Sequence, residues 1–288
     1  MKIVTDCAAD LSAQECKELG VVEAPLFIQF PEGEINATDI TPDEFYDRLE
    51  AMRPAIPTTA QPSAGIFQSL YEKLAETKEQ VLSIHISSGL SGTLNSAITG
   101  AAQLKEKMVS TVDSMTLSGG QRFQVLAAVK AAKAGWNLDT IKERLDAIRA
   151  KTEVIYTLET LEYLARGGRI GRVQALAGSL LNIKPVIRVD RNDGKYTTVG
   201  KGRTVKKNVA MMVDHLSEMY GNVPLWATVL HGRFEQGAGA FEYCETRSNA
   251  YLACFGRAHG TWHCRRSNFA DELDRRFALT NRTRIFQI

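Results

Sequence analysis

The chain has 288 residues, 44% hydrophobic and 24% charged, with a formal net charge of +2 and five cysteines. That length buries one large core or two medium ones, and the composition excludes a disulfide miniprotein, a collagen-like repeat and a wholly disordered chain. The near-neutral balance leaves no polyanion footprint, so no nucleic-acid partner is expected.

An odd cysteine count with no Cys-x-x-Cys pair and no metal-ligand spacing points to a reduced, cytoplasmic protein without a metal or cofactor. The start Met1-Lys2-Ile3-Val4-Thr5-Asp6 has no apolar h-region, and no run approaches the roughly 18 apolar residues of a spanning helix. Charge is nonetheless uneven. Residues 242–288 carry eight arginines, no lysine and five acidic residues, a local net of +3, whereas residues 1–241 carry 27 basic and 28 acidic residues, a net of −1. Cys244, Cys254 and Cys264 also fall in that final stretch.

In chain order, Lys2–Thr5 reads as a short buried strand ending at Asp6, and Ser12 as the cap of a helix through Leu19. Val22–Phe30 reads as a second strand. Thr41-Pro42-Asp43-Glu44 starts a helix to about Met52, with Pro at the first helical position. Arg53–Ser63, with three prolines, reads as a loop, and Ser63–Ala75 as an amphipathic helix. Gln80–Ile86 is expected as a strand, Leu90–Leu104 as a helix and Met108–Val112 as a strand. Phe123–Ala134 and Leu138–Ala150 read as helices joined at Gly135. This alternation predicts a parallel sheet covered by helices over residues 1–150.

The pattern changes after Lys151. Val154–Leu158 reads as a strand, Leu161–Ala165 and Val173–Leu181 as helices, and Val186–Asp190 with Lys195–Val199 as a hairpin around Arg191-Asn192-Asp193-Gly194. Thr204–Met219 reads as a helix and Pro224–Leu230 as a strand. The fold class is therefore α/β in two domains: a parallel-sheet domain over 1–150, and an α+β domain with a mostly antiparallel sheet over 151–241. An atypical stretch, 242–288, follows.

The sharpest motif is Ser87-Ser88-Gly89-Leu90-Ser91-Gly92-Thr93-Leu94-Asn95-Ser96-Ala97, which follows a strand and opens a helix. At such a turn, backbone N–H groups and hydroxyls collect at the carboxyl end of the sheet, where open α/β sheets bind ligands and a helix N-terminus favours an anion. Four hydroxyls and two glycines within seven residues exceed what one helix cap needs. Pro57-Thr58-Thr59-Ala60-Gln61-Pro62-Ser63 is a second polar loop ending at a helix start, and it faces the same sheet end in this topology. In Leu161 to Arg172, Gly167-Gly168 separates two helical signals. Arg166, Arg169 and Arg172 there are either solvated or an anion or partner contact.

Two rival chemistries are weaker. Gly89-Leu90-Ser91-Gly92 misses Gly-x-Ser-x-Gly because Thr93 replaces the last Gly, so a serine hydrolase using Ser91 stands only as an alternative. His85 and His231 read as buried, hydrogen-bonded histidines rather than triad members. Gly200-Lys201-Gly202-Arg203-Thr204 lacks the spacing of a P-loop.

Val4-Thr5-Asp6, Thr59-Ala60-Gln61-Pro62-Ser63, the Ser87–Ala97 motif and Leu161-Glu162-Tyr163-Leu164 with Gly167-Gly168-Arg169-Ile170 occur in one order, and in that order the chain resembles the DegV family, the fatty-acid-binding subunit of bacterial fatty acid kinase. The resemblance runs from Lys2 to about Phe241. It implies two α/β domains with a lipid tunnel between them, carboxylate contacts at Thr59 and Ser91, and no catalysis by this chain alone. A partner kinase would phosphorylate the presented acyl carboxylate. The ligand-binding set is then Thr59, Ser88, Ser91, Gly92, Thr93 and Arg169, with Arg203 resembling the family's basic residue near the head group and the kinase surface.

Two departures stand out. Cys7 replaces the usual Ser after Asp6, and residues 242–288 do not match the family's closing strand and His-Thr-Gly-Pro-Gly loop. Arg257–Arg266 can be encoded CGC GCA CAC GGG ACC TGG CAT TGT CGG CGC. Without its first base, that DNA reads Ala-His-Thr-Gly-Pro-Gly-Ile-Val-Gly, the family ending. A one-base frameshift near residues 241–246 is therefore expected. It predicts poor packing or an isolated helix over 242–288, and it leaves a non-functional, truncated relative as a further alternative.

Overall fold

The computed structural model describes residues 1–106, 108–174, 183–221, 225–230, 251–254 and 284–287. They divide into two units: Met1–Ala150 with Asp190–Lys195, and Lys151–Val189 with Tyr196–Ile288.

Unit one is built on β1 (Lys2–Asp6), β2 (Val21–Ala24), β6 (Val81–His85) and β7 (Val109–Asp113). They form one sheet in the order β2-β1-β6-β7, parallel at every pairing. β6 is central and buried at all five positions, as expected of a strand covered on both faces. The covering helices are α1 (Ala13–Leu19), α3 (Ala64–Ala75), α4 (Thr93–Ala102), α5 (Ser118–Lys133) and α6 (Leu138–Arg149); α2 (Pro42–Ala51) completes the unit.

Their starts follow from side-chain caps. Ser12 and Glu15 make a reciprocal capping box at α1, and Thr41, Ser63 and Asn137 cap α2, α3 and α6. Val4, Ala24, Phe67, Tyr71, Val81 and Ala97 form a core between sheet and helices. α3 and α4 meet at Gly100, where a Cβ would lie 2.7 Å from both Ala64 O and Phe67 Cβ. α5 is buried along most of its length, and it carries Gln121, Arg122 and Gln124 into the interior.

A second sheet in this unit, order β4-β3-β5, is antiparallel and comprises β3 (Phe27–Phe30), β4 (Gly33–Asn36) and β5 (Thr58–Ala60). It corrects two sequence expectations. Val22–Phe30 is two strands in different sheets, interrupted at Pro25, which has no N–H to give a ladder. The stretch Arg53–Ser63 is not all loop, since Thr58–Ala60 pairs with β3 and places Thr59 opposite Ile28. α5 also begins five residues before the expected Phe123, at the Ser118-Gly119-Gly120 stretch whose glycines hid the start.

Unit two contains β8 (Thr152–Thr157), α7 (Glu162–Arg166), a 3-10 turn at Gly171–Val173, β9 (Lys184–Val189), β10 (Tyr196–Gly202), α8 (Val205–Tyr220), β11 (Leu225–Val229), β12 (Tyr251–Cys254) and β13 (Arg284–Gln287). The sheet order is β10-β9-β8-β13-β11-β12. The expected hairpin and its neighbour pair antiparallel. Beyond β8 the pairings are parallel, so the sheet is mixed. Most of the helix expected over Val173–Leu181 lies outside the described residues, as do Trp262, Cys244, Cys264 and His231. The described residues within 242–288 are β12 and β13, strands rather than an isolated helix.

Candidate ligand-binding site

The β6–α4 turn is held by a complete set of hydrogen bonds to its own backbone. Ile86 N–H donates to Asp6 Oδ2 at 3.0 Å and Ser87 N–H to Thr116 O at 2.8 Å. Ser88 N–H is shared between both Asp113 carboxylate oxygens at 3.3 Å. Gly89 N–H donates to Ser87 Oγ at 3.1 Å, while Leu90 and Ser91 N–H donate to Ser87 O at 3.0 and 3.1 Å. Gly92 N–H donates to Gln61 Oε1 at 3.1 Å, and Thr93 N–H to Ser91 Oγ at 3.3 Å. Every N–H from Ile86 to Thr93 is therefore committed within the unit. The expectation of free backbone donors for an anion is overturned: side chains of Asp6, Asp113 and Gln61 take up donors that a phosphate-binding turn would leave open.

What remains for a ligand is the hydroxyls. Ser88 is exposed and its Oγ has no hydrogen bond among the described residues; the same holds for Thr59 on β5. Ser91 Oγ and Thr93 Oγ1 are 2.8 Å apart, with Thr93 fully buried and Ser91 half-buried. The structure thus gathers Ser88, Ser91, Gly92 and Thr93 in one turn. Thr59 is tied to that turn through Gln61, two residues further on.

The two arginines of the expected set lie in unit two. Arg169 follows α7, is exposed, donates its backbone N–H to Leu164 O at 2.8 Å and its Nη1 to Gly167 O at 2.7 Å. Arg203 is exposed between β10 and the Thr204 cap of α8, without a hydrogen bond or ion pair among the described residues.

Behind the turn runs a fully buried polar chain. His85 Nδ1 bonds Asp6 Oδ2 at 2.9 Å, His85 Nε2 bonds Ser83 Oγ at 2.7 Å, and Ser83 Oγ bonds Tyr71 OH at 2.8 Å. Gln121 Nε2 adds bonds to Thr5 Oγ1 and Asp6 Oδ1 at 3.0 and 3.1 Å. Burial pushes the Tyr71 hydroxyl up to about 12, although its bond to Ser83 pulls the other way. The order carboxylate–imidazole–hydroxyl is that of a hydrolase triad, but Ser83 is wholly buried and shared with Tyr71, so no substrate reaches it. His85 is the buried, bonded histidine expected. Its ring is spent on Asp6 and Ser83, and Ser91 bonds Thr93 instead, so the geometry does not favour the serine-hydrolase reading.

Sequence reasoning missed Asp113 and the pairing of Asp6 with His85, whose partners lie far along the chain. A further interior pair is Arg122 with Glu15. Burial raises the Glu15 carboxyl, but hydrogen bonds from Arg122 and from Ser12, together with the Arg122 charge, outweigh it and hold that carboxyl below its usual range.

Unit one is an open parallel α/β sheet with a hydroxyl-lined strand-to-helix turn at its carboxyl edge, the place where open α/β sheets bind their ligands. The chain belongs to the DegV family, described as uncharacterised proteins, which it matches over residues 1–253. A DegV domain-containing protein of Deinococcus radiodurans is 37% identical over 237 residues, 82% of this chain and 81% of the relative. One from Halalkalibacterium halodurans is 36% identical over 239 residues, 82% and 83% of the two chains.

Among solved structures, a DegV family protein from Thermus thermophilus, described by its fatty acid binding, superposes with a TM-score of 0.78 at 30% identity, covering 88% of this chain and 91% of that one. DegV of Bacillus subtilis, described as a fatty acid binding protein, gives 0.77 at 28% identity and the same coverage. A stearic-acid-binding protein from Eubacterium ventriosum gives 0.78 at 27% identity, covering 90% and 92%. No helix among the described residues is long and apolar enough to cross a membrane.

Proposed function

We propose that this chain binds a long-chain fatty acid and holds its carboxylate at the hydroxyls of Thr59 and Ser91, with Ser88, Gly92 and Thr93 shaping the turn. The observation that carries the reading is the site itself: a turn whose backbone donors are all committed, so that the hydroxyls of Thr59, Ser88 and Ser91 remain to meet a ligand. Solved relatives at 27–30% identity, described as fatty-acid-binding, support it. Neutral hydroxyls bind a carboxylate without a buried countercharge, and so without the desolvation cost of an ion pair. The tail supplies the affinity. At about 0.8 kcal/mol per methylene, a long acyl chain contributes on the order of 10 kcal/mol before association costs.

In this reading the chain performs no chemistry. It presents the carboxylate to a partner kinase, which forms the acyl phosphate, and exposed Arg169 and Arg203 contact the head group or the kinase. The test is mass spectrometry of lipid extracted from the purified protein, with titration of added fatty acid. A bound fatty acid is expected, and Ser91→Ala should weaken binding roughly 10-fold, the worth of one hydrogen bond to a charged group. Neither extracted lipid nor saturable binding would sink the reading.

A further inference from the structure

Gln61 is a residue of the Thr59–Ser63 motif that the hydroxyl site itself leaves unused. Its Oε1 accepts from Gly92 N–H at 3.1 Å, which fixes the orientation of the amide, since only the oxygen can accept. The fit requires glycine at 92. A Cβ there would overlap the Gln61 amide, and its nearest neighbour would be Nε2. Gln61 is exposed, and its Nε2 makes no hydrogen bond among the described residues. The amide nitrogen therefore sits against Gly92, the neighbour of Ser91 in the chain, on a segment that carries Thr59 two residues earlier.

The charges around the turn make that donor valuable. The backbone N–H groups of residues 86–93 are all taken, and the charged group holding Ser88 N–H is the Asp113 carboxylate, which opposes an anion. A ligand carboxylate approaching this turn meets hydroxyls and one side-chain amide.

We propose that Gln61 is a head-group residue that selects for a carboxylate: Oε1 locks the amide to Gly92 while Nε2 donates to a ligand oxygen beside Thr59 and Ser91. The proposal rests on the fatty-acid reading above and extends it to a residue and a specificity. A neutral lipid head group gains less from this donor than a carboxylate does, because hydrogen bonds to ionised acceptors are stronger.

The discriminating variant is Gln61→Glu. It keeps an oxygen that accepts from Gly92 N–H but replaces the NH2 donor with an anionic oxygen. Affinities for a long-chain fatty acid and for the fatty alcohol of equal length are measured at pH 8 on wild type and variant. The expected result is a loss of at least 10-fold for the acid, with the alcohol within about twofold of wild type. The unchanged alcohol also reports that the variant is folded. Equal binding of the acid by both proteins, or an equal loss for both lipids, overturns the proposal and makes Gln61 a spacer of the turn. Wild type that binds neither lipid overturns the fatty-acid reading, and this inference with it.

Discussion

Tyr71, Ser83, His85 and Asp6 show what a linear reading of residues can and cannot reach. The hydroxyls of Ser87 to Thr93 are visible because they crowd one stretch. The bond from His85 to Asp6 spans 79 positions, so no local spacing announces it. Its consequence is nevertheless local: Asp6 also receives Ile86 N–H, and the buried chain fixes where the turn begins. The far end of that chain has a measurable signature. Burial raises the Tyr71 phenol from the ordinary tyrosine value near 10 to about 12, so the folded state favours the neutral phenol. Its contribution is fully present below pH 10 and is lost as pH rises from 10 through 12, a fall of about 3 kcal/mol at most. Urea unfolding across this range should show that fall in wild type. Tyr71→Phe, with no phenol to ionise, should be less stable at neutral pH and fall less steeply. Equal slopes would show that Tyr71 is not the group held neutral.

Elements with strong ends were legible, and elements whose ends carry a second meaning were not. Ser12, Thr41, Ser63 and Thr204 each mark a helix start, because a cap needs only its own neighbours. β5 hid in a proline-rich stretch because a three-residue strand is defined by its partner, β3. The β9–β10 hairpin was legible from its turn residues, but its tip does more than reverse the chain. Asp190–Lys195 belongs to unit one, where Asp193 O would lie 2.5 Å from a Cβ at Gly89, and a Cβ at Gly194 would overlap Ser87 Oγ.

Ser87 in turn anchors the N–H groups of Gly89, Leu90 and Ser91. Gly194→Ala therefore carries two costs, a left-handed backbone (φ 64°) and a steric overlap, together about 2–4 kcal/mol. Gly135→Ala has a similar φ of 79° but open space around it, and should cost only about 1–2 kcal/mol. Denaturant midpoints of the two variants separate these terms. Equal losses would mean that the tip does not press on the ligand turn.

For the molecule as a whole, the parallel half of the second sheet was the least legible part, because β12 and β13, both within residues 242–288, are four-residue strands defined by their partners. The same stretch carries the +3 charge, the switch from lysine to arginine and three of the five cysteines.

Drift would erode identity gradually, whereas a change of reading frame replaces every downstream residue at once and keeps the family ending recoverable from the DNA. We propose that the frame changes near residues 241–246. The back-translation is constrained where it matters most: the second glycine of the family loop is forced by the single Trp262 codon, TGG, and the C that opens the His263 codon. Sequencing the encoding DNA should show that one base gained or lost in codons 241–246 restores His-Thr-Gly-Pro-Gly. If no single-base change there restores it, residues 242–288 are this protein's own ending, and the +3 charge is its property rather than an accident of frame.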